Sequence, residues 1–308
     1  MAYRLEPDEA LDVGVRRIAT EQVEKALAEL DDSDLDRHAT VHQVRKRCKK
    51  IRGLLRLVRP GLENYSDKNQ SFRDAARRLS PIRDGDAILE TYDELTEIYG
   101  DLVDLRRFRT IRTTLEHRRD AVNEELSIDE RLDEFREFCV EQLDDITGWS
   151  IDAGEGGIRP ILGGLRKTYG RGYDDFRIAV DEGSAEDFHE WRKRVKYHWY
   201  HLRILRDVWP SVVRARRDEL DRLSDLLGDE HDLAVLSAQV EAEPHSFAGC
   251  RTIQALLGLV QQRRQELQAK ARRSGRRVYA EAPNAFAARF EIYLEVWEQS
   301  PVRGNLAS

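Results

Sequence analysis

The chain has 308 residues, of which 40% are hydrophobic and 35% are charged, and its formal net charge is −7. This length is enough for one large domain or for two domains of about 150 residues, each with a hydrophobic core. The composition favours a globular protein, and the lack of any apolar run of 18 residues argues against a membrane-spanning helix.

The N-terminal sequence MAYRLEPDEALD does not have the basic and then apolar pattern of a signal peptide, so we expect a cytoplasmic protein. The three cysteines, Cys48, Cys139 and Cys250, lie far apart and form no CxxC pair. Their spacing fits neither a disulfide framework nor a cysteine zinc site. We expect three free thiols packed in the interior.

Apolar residues recur at spacings of three and four along most of the chain, which predicts amphipathic helices. In chain order the predicted helices cover 8–30, 37–59, 68–79, 84–99, 103–125, 129–148, 157–169, 184–207, 211–227, 230–241, 246–275 and 283–299. No segment alternates as a β-strand does. The sequence therefore predicts an all-α protein of long helices and short turns, arranged in antiparallel bundles.

An internal repeat organises the chain. Residues 42–49 and 189–196 both read HxxRKRxK and lie 147 residues apart. Two more pairs of segments match at nearly the same offset: GVRR at 14–17 with GLRK at 164–167, and LSPIRD at 79–84 with LGDEHD at 227–232. Matches in one order at one offset indicate a duplicated unit. We predict units of 1–150 and 151–308, separated by a glycine-rich linker at 152–157.

The helix with the first HxxRKRxK segment carries an apolar seam beside a cationic stripe. The seam consists of Val41, Val44, Cys48, Ile51, Leu55 and Val58, and the stripe of His42, Arg45, Lys49, Arg52, Arg56 and Arg59. Repulsion between like charges one turn apart costs about 0.2–0.5 kcal/mol per pair. Burial of the seam, at about 1.5–3 kcal/mol per large side chain, outweighs that cost. Since the stripe is not needed for helix formation, we interpret it as a surface that binds a polyanion.

The second copy repeats this design. Its seam is Phe188, Trp191, Val195, Leu202 and Leu205, and its stripe is His189, Arg192, Lys196, Arg203 and Arg206. Trp199 stands in this stripe where Arg52 stands in the first, and we expect it to pack across the interface between the repeats. Arg73 and Arg77 form a shorter stripe beside Phe72 and Ala76. Two helices related by duplication can present their stripes to one shared cleft.

These residues resemble the CHAD family, which is named for histidines in an α-helical domain. The resemblance rests on HQVRKRCKKIRGLLRL, HEWRKRVKYHWYHLRIL, SPIRDGDAIL, LGDEHDLAVL and GLRKTYGRGYDDF, which together cover most of the chain. It implies two four-helix bundles around a pseudo-two-fold axis, with a basic central groove or channel that binds inorganic polyphosphate. It implies no catalytic residue, metal or cofactor.

Carried over position by position, the resemblance implies binding residues in both halves. They are His42, Arg45, Lys46, Lys49 and Arg56 in the first half and His189, Arg192, Lys193, Lys196 and Arg203 in the second. Further candidates are Arg16, Arg17, Arg52, Arg73, Arg77, Arg83, Arg166, Lys167, Arg171 and His231. Polyphosphate granules are one place where such a cytoplasmic protein would be found.

Three other functions stay open at this point. A basic groove also binds an RNA backbone, although base stacking would call for exposed aromatic residues among the cations. His42 or His189 could accept a phosphoryl group. A metal site would require His42, His189 and His231 to converge. We prefer polyphosphate, because a narrow phosphate chain needs no stacking surface.

Overall fold

The computed structural model describes residues 3–6, 9–102, 105–153, 159–181 and 183–299. Within these ranges there are eleven α-helices: α1 (Leu11–Asp31), α2 (Arg37–Val58), α3 (Tyr65–Arg78), α4 (Ser80–Tyr99), α5 (Leu105–Leu126), α6 (Ile128–Thr147), α7 (Arg159–Asp181), α8 (Ala185–Ile204), α9 (Pro210–Ala242), α10 (Cys250–Val278) and α11 (Pro283–Gln299). None of these helices is both long and apolar enough to cross a membrane.

The prediction of an all-α protein is confirmed for the described ranges. They contain no β-strand, only an isolated antiparallel bridge between Leu62 and Ile151. The predicted helix starts at 8, 103 and 157 and most of the predicted linker at 152–157 lie outside the described residues.

Two predicted helix ends are wrong. The predicted helices 211–227 and 230–241 are one helix, α9, with Gly228 in its interior, and α7 continues past Gly170 and Gly172 to Asp181. A glycine costs a helix only about 1 kcal/mol, which tertiary packing readily outweighs. Gly172 has a further use, because a Cβ there would lie 2.3 Å from the hydroxyl of Tyr279.

The buried apolar side chains form two clusters, and each cluster takes residues from both halves of the sequence. The larger one includes residues of α1–α3, α6–α8 and α11 together with parts of α4, α9 and α10. The smaller one joins α4 and α5 to the other parts of α9 and α10.

Cys48 and Cys139 are buried, but the expectation for Cys250 is wrong, since it is exposed at the start of α10.

Helices α2 and α8 lie against each other at the middle of the molecule. Every seam residue predicted for the two helices is buried. Gly53 of α2 faces Tyr200 of α8, where an added Cβ would lie 2.8 Å from the Cβ of tyrosine. One turn later in α2, the Arg56 guanidinium lies 4.0 Å from the ring of Tyr197, one turn earlier in α8. The two helices therefore run antiparallel.

Gly164 allows α7 to approach α2 closely. A Cβ at this position would lie 1.8 Å from the backbone oxygen of Leu57.

We expect Gly164→Ala to lower the free energy of unfolding by about 1–3 kcal/mol or more, because the clash is with backbone. The measurement is the urea midpoint. Gly258→Ala is the control, since nothing lies within 4 Å of that Cβ, and a gain of about 0.5–1 kcal/mol is expected there. Equal stability of the two variants would contradict the close contact.

Candidate functional site

Cationic side chains of α2, α4 and α8 meet beside two carboxylates of α4 and α9 near the middle of the molecule. We call this group the central cluster; its members are Arg45, Lys49, Arg83, Asp84, Arg192, Lys196 and Asp232. Burial, together with the charges of Arg45, Arg192 and Lys196, lowers the pKa of Lys49 to about 8. The Lys49 side chain is nevertheless exposed to solvent.

Asp84 and Asp232 occupy the same position in the matching sequence segments LSPIRD and LGDEHD. Burial raises the pKa of Asp84, and the charges of Arg45, Lys49 and Arg83 oppose this shift. Burial likewise raises the pKa of Asp232, against the charges of Arg192, Arg83 and Lys49. Neither carboxylate lies within 4.0 Å of a cationic nitrogen among the described residues. The two carboxylates therefore moderate the positive charge of the cluster without closing ion pairs across it.

Many arginines outside the cluster are held in ion pairs. Arg264 lies 2.8 Å from Glu230, and Arg194 lies 3.0 Å from Asp175. Within the described part of the chain, the predicted binding residues with no carboxylate oxygen within 4.0 Å include Lys46, Lys49, Arg192, Lys196 and Arg203. A solvated helix face paired with acidic neighbours would not leave these cations unmatched.

Aromatic rings lie beneath several of the cations on α2 and α8. The Lys196 ammonium lies 4.4 Å and the Arg203 guanidinium 4.7 Å from the ring of Trp199. Arg56 lies over Tyr197, a residue that the sequence analysis missed. In the sequence, the only indication of a role for Tyr197 is that it follows Lys196. The cation that contacts its ring, Arg56, belongs to another helix. Contacts of this kind hold the long side chains in place.

The three candidate histidines do not form one group. His42 is exposed, and burial together with the charges of Arg83 and Lys46 lowers its pKa. His189 and His231 touch, with their Nδ1 atoms 3.1 Å apart. Burial, followed by the charge of His189, lowers the pKa of His231 to about 3. Among the described residues no three or more His, Cys, Asp or Glu side chains are grouped so as to hold a metal ion.

Arg16 and Arg17 are occupied by structural contacts away from the central cluster. Arg16 lies 2.7 Å from Asp12 and donates a 2.8 Å hydrogen bond to the backbone oxygen of Trp149. Arg17 is bound by Glu9. These partners tie α1 to the rest of the larger core.

Several other candidates also have protein partners. Arg45 donates a 2.9 Å hydrogen bond to the backbone oxygen of Ala76, so it also holds the junction of α3 and α4. The remaining contacts are Arg73 with Asp74, Arg83 with Glu90, Lys193 with Glu190, and both Arg52 and Arg56 with Asn69. Arg77 is exposed on α3.

The candidates on α7 lie apart from the central cluster. Arg166 lines a cavity of about 650 Å³ between α7 and α11, opposite Glu291, Glu295 and Glu298. Lys167 and Arg171 lie instead beside Arg59 at the end of α2. The structure thus brings together most of the candidates on α2 and α8 and separates those on α1 and α7 from them.

In this helical fold, cations without ion pairs from the antiparallel helices α2 and α8 lie side by side. The family model of the CHAD domain matches residues 17–241, so the chain belongs to the CHAD domain family. This confirms the resemblance found in the sequence. Among solved structures, PptA from Streptomyces chartreusis is similar, with a TM-score of 0.62 and 14% sequence identity over 89% of this chain and 100% of that chain. At this identity the similarity concerns the fold alone. No curated protein matches the chain.

Proposed function

We propose that this protein binds inorganic polyphosphate at the central cluster and does not act as an enzyme. The observation that carries the proposal is the set of cations without ion pairs, contributed by both α2 and α8. Lys49, Arg192 and Lys196 are its central members, and their charges act on one another. Membership of the CHAD family supports the same conclusion. A cytoplasmic location and association with polyphosphate granules are part of the proposal.

The ligand has to be a polymer for physical reasons. One charge paired with a phosphate oxygen at 4 Å gains about 4 kcal/mol at an effective dielectric constant of 20, before the loss of hydration. A single phosphate would gain little after that loss. A condensed phosphate chain repeats the contact along the row of cations and so reaches a useful affinity.

The two halves, in this proposal, are duplicated bundles related by a pseudo-two-fold axis, and the ligand lies where they meet. Gly53 and Tyr200 face each other and stand 147 residues apart, which is the repeat offset. The members of the central cluster also pair at this offset or one residue more: Arg45 with Arg192, Lys49 with Lys196, and Asp84 with Asp232. The proposed axis passes through the α2/α8 contact and pairs these residues with one another.

RNA is a weaker candidate because the aromatic rings beside the cations are already in contact with cationic side chains. Stacking of bases requires open ring faces beside the cations. Lys196 and Arg203 both lie against Trp199, and Arg56 covers Tyr197. A phosphate chain needs only the cations.

Isothermal titration of the protein with long-chain polyphosphate tests the proposal. We expect binding that weakens steeply as salt rises, because the screening length falls from about 10 Å at 0.1 M to about 3 Å at 1 M. Single-stranded RNA of equal total charge is the comparison ligand. Equal or tighter binding of that RNA would overturn the proposal, and so would affinity for polyphosphate that does not change with salt.

A further inference from the structure

A cavity of about 650 Å³ lies between α7 and α11, apart from the central cluster. This volume is typical of sites that bind small molecules. The ring of Phe286 on α11 stacks on the ring of Tyr169 on α7, with 4.0 Å between their centroids. A Cβ added at Gly170 would lie 3.6 Å from Pro283, the first residue of α11. Since the start of α7 and the end of α11 line the cavity, the two helices run antiparallel.

The two walls of the cavity carry opposite charges in matching rows. Arg159 and Arg166 lie seven residues apart on α7, and Glu291 and Glu298 lie seven residues apart on α11. Seven residues correspond to about 10 Å along a helix, so the two rows are equally long. The antiparallel arrangement places Arg159 opposite Glu298 and Arg166 opposite Glu291. Glu295 lies between the two glutamates on the same face of α11.

The opposed charges do not close ion pairs across the cavity. Within the part of the chain that the structure describes, no carboxylate oxygen lies within 4.0 Å of Arg159 or Arg166. The same holds for cationic nitrogens around Glu291, Glu295 and Glu298 in the described ranges. Burial, followed by the charge of Glu295, raises the pKa of Glu298. The acidic wall is therefore open to a cation, and the basic wall is open to an anion.

We infer that this cavity binds a small zwitterion, with its acidic group at the two arginines and its ammonium group at the three glutamates. A guanidinium donates two parallel hydrogen bonds to a carboxylate or a phosphate, and an ammonium donates up to three hydrogen bonds to carboxylate oxygens. A simple anion would be repelled by the acidic wall, and a simple cation by the basic one. Only a ligand with both charges matches both walls.

This site is separate from the proposed polyphosphate site in both position and chemistry. Its acidic wall belongs to α11 (Pro283–Gln299), which lies outside the residues 17–241 that the family model matches. Three glutamates in the lining disfavour a phosphate polymer, because they would repel every phosphate group that is not held by an arginine. The inference therefore does not depend on the proposed function.

Two zwitterions serve as probes: 6-aminohexanoate, whose acidic group is a carboxylate, and O-phosphoethanolamine, whose acidic group is a phosphate. Hexanoate and hexylammonium each carry only one of the two charges. Saturation-transfer NMR and calorimetric titration measure the binding. We expect at least one zwitterion to bind about tenfold or more tightly than either singly charged molecule. The tighter zwitterion identifies the acidic group that the arginines prefer. Absence of zwitterion binding, or equal binding of a singly charged molecule, would overturn the inference.

Substitutions on both walls show whether binding uses the two charges. Glu291→Gln with Glu295→Gln removes two exposed charges and should weaken zwitterion binding about tenfold or more. The matched control is Glu137→Gln with Glu141→Gln, which removes two exposed charges at the same spacing on α6 and should leave the affinity unchanged. Arg159→Gln should also weaken binding. Circular dichroism checks the fold of each variant. Unchanged affinity in either cavity variant would contradict the inference.

Competition separates this cavity from the central cluster. Zwitterion affinity should stay within about twofold when long-chain polyphosphate is present at saturation. Displacement of the zwitterion by polyphosphate would place it at the central cluster and refute the inference, while the proposed function would stand.

Discussion

Charge reversal at Lys49 and Arg192 is expected to weaken polyphosphate binding at least a hundredfold, which corresponds to about 2.8 kcal/mol. The two residues come from different helices and act on each other in the central cluster. Lys49→Glu with Arg192→Glu places two carboxylates beside Asp84 and Asp232, so the cluster becomes repulsive to phosphate. Neither side chain takes part in an ion pair in the described structure, and their replacement breaks no such contact.

Lys49 is a better choice for this test than Arg45. Arg45 also donates to the backbone oxygen of Ala76, so its loss would disturb the junction of α3 and α4. The matched control is Lys270→Glu with Arg273→Glu, which reverses two exposed charges on α10 and changes the net charge equally. Circular dichroism should show the same helix content in all three proteins. Equal loss of affinity in the control would mean that net charge, rather than the central cluster, governs binding.

Binding is also expected to strengthen about tenfold as the pH falls from 9 to 7. The pKa of Lys49 is lowered to about 8 in the free protein, so the side chain is mostly neutral at pH 9 and mostly cationic at pH 7. A bound polyanion favours the cationic form and raises this pKa, so binding takes up a proton. One pKa unit corresponds to a factor of ten in the protonation equilibrium. Titration in buffers of different ionisation enthalpy measures the proton uptake directly.

Lys49→Arg isolates the contribution of this one side chain. Arginine stays charged at pH 9, so the variant should bind more tightly than the natural protein at that pH and about equally at pH 7. Protonation of the polyphosphate itself affects both proteins equally, so it does not contribute to the difference between them. An unchanged pH profile in the variant would show that Lys49 is not the group that takes up the proton.

The local pattern of the sequence predicts the seams and the stripes well. A helix converts spacings of three and four residues into faces, so Val44 and Cys48 could be assigned to the core, and Lys49 to the neighbouring face, without a structure. The prediction of an all-α protein rests on the same spacing. The pattern does not show where tertiary packing overrides a helix-breaking residue, as at Gly228 in the interior of α9.

The partners of the cations could not be predicted, because they come from distant parts of the chain. Arg16 and Arg17 look in the sequence like Arg166 and Lys167, yet the first pair is bound by Asp12 and Glu9. The way in which α7 crosses α2 is set by the close approach of Gly164 to Leu57. A single sequence carries no signal for such a contact beyond the glycine itself.

The contact of Gly53 with Tyr200 bears on how such a molecule arises. In the duplication we propose, these are equivalent positions, and a symmetric homodimer of single units would place the same residue on both sides of its axis. Tyrosine against tyrosine would not fit the available space, and glycine against glycine would leave a gap. The packing of the Tyr200 ring against the backbone of Gly53 becomes possible only when both copies are encoded in one chain and mutate independently. In the proposed duplication, this asymmetry arises after the two copies are joined in one chain, and it makes each copy specific for the other.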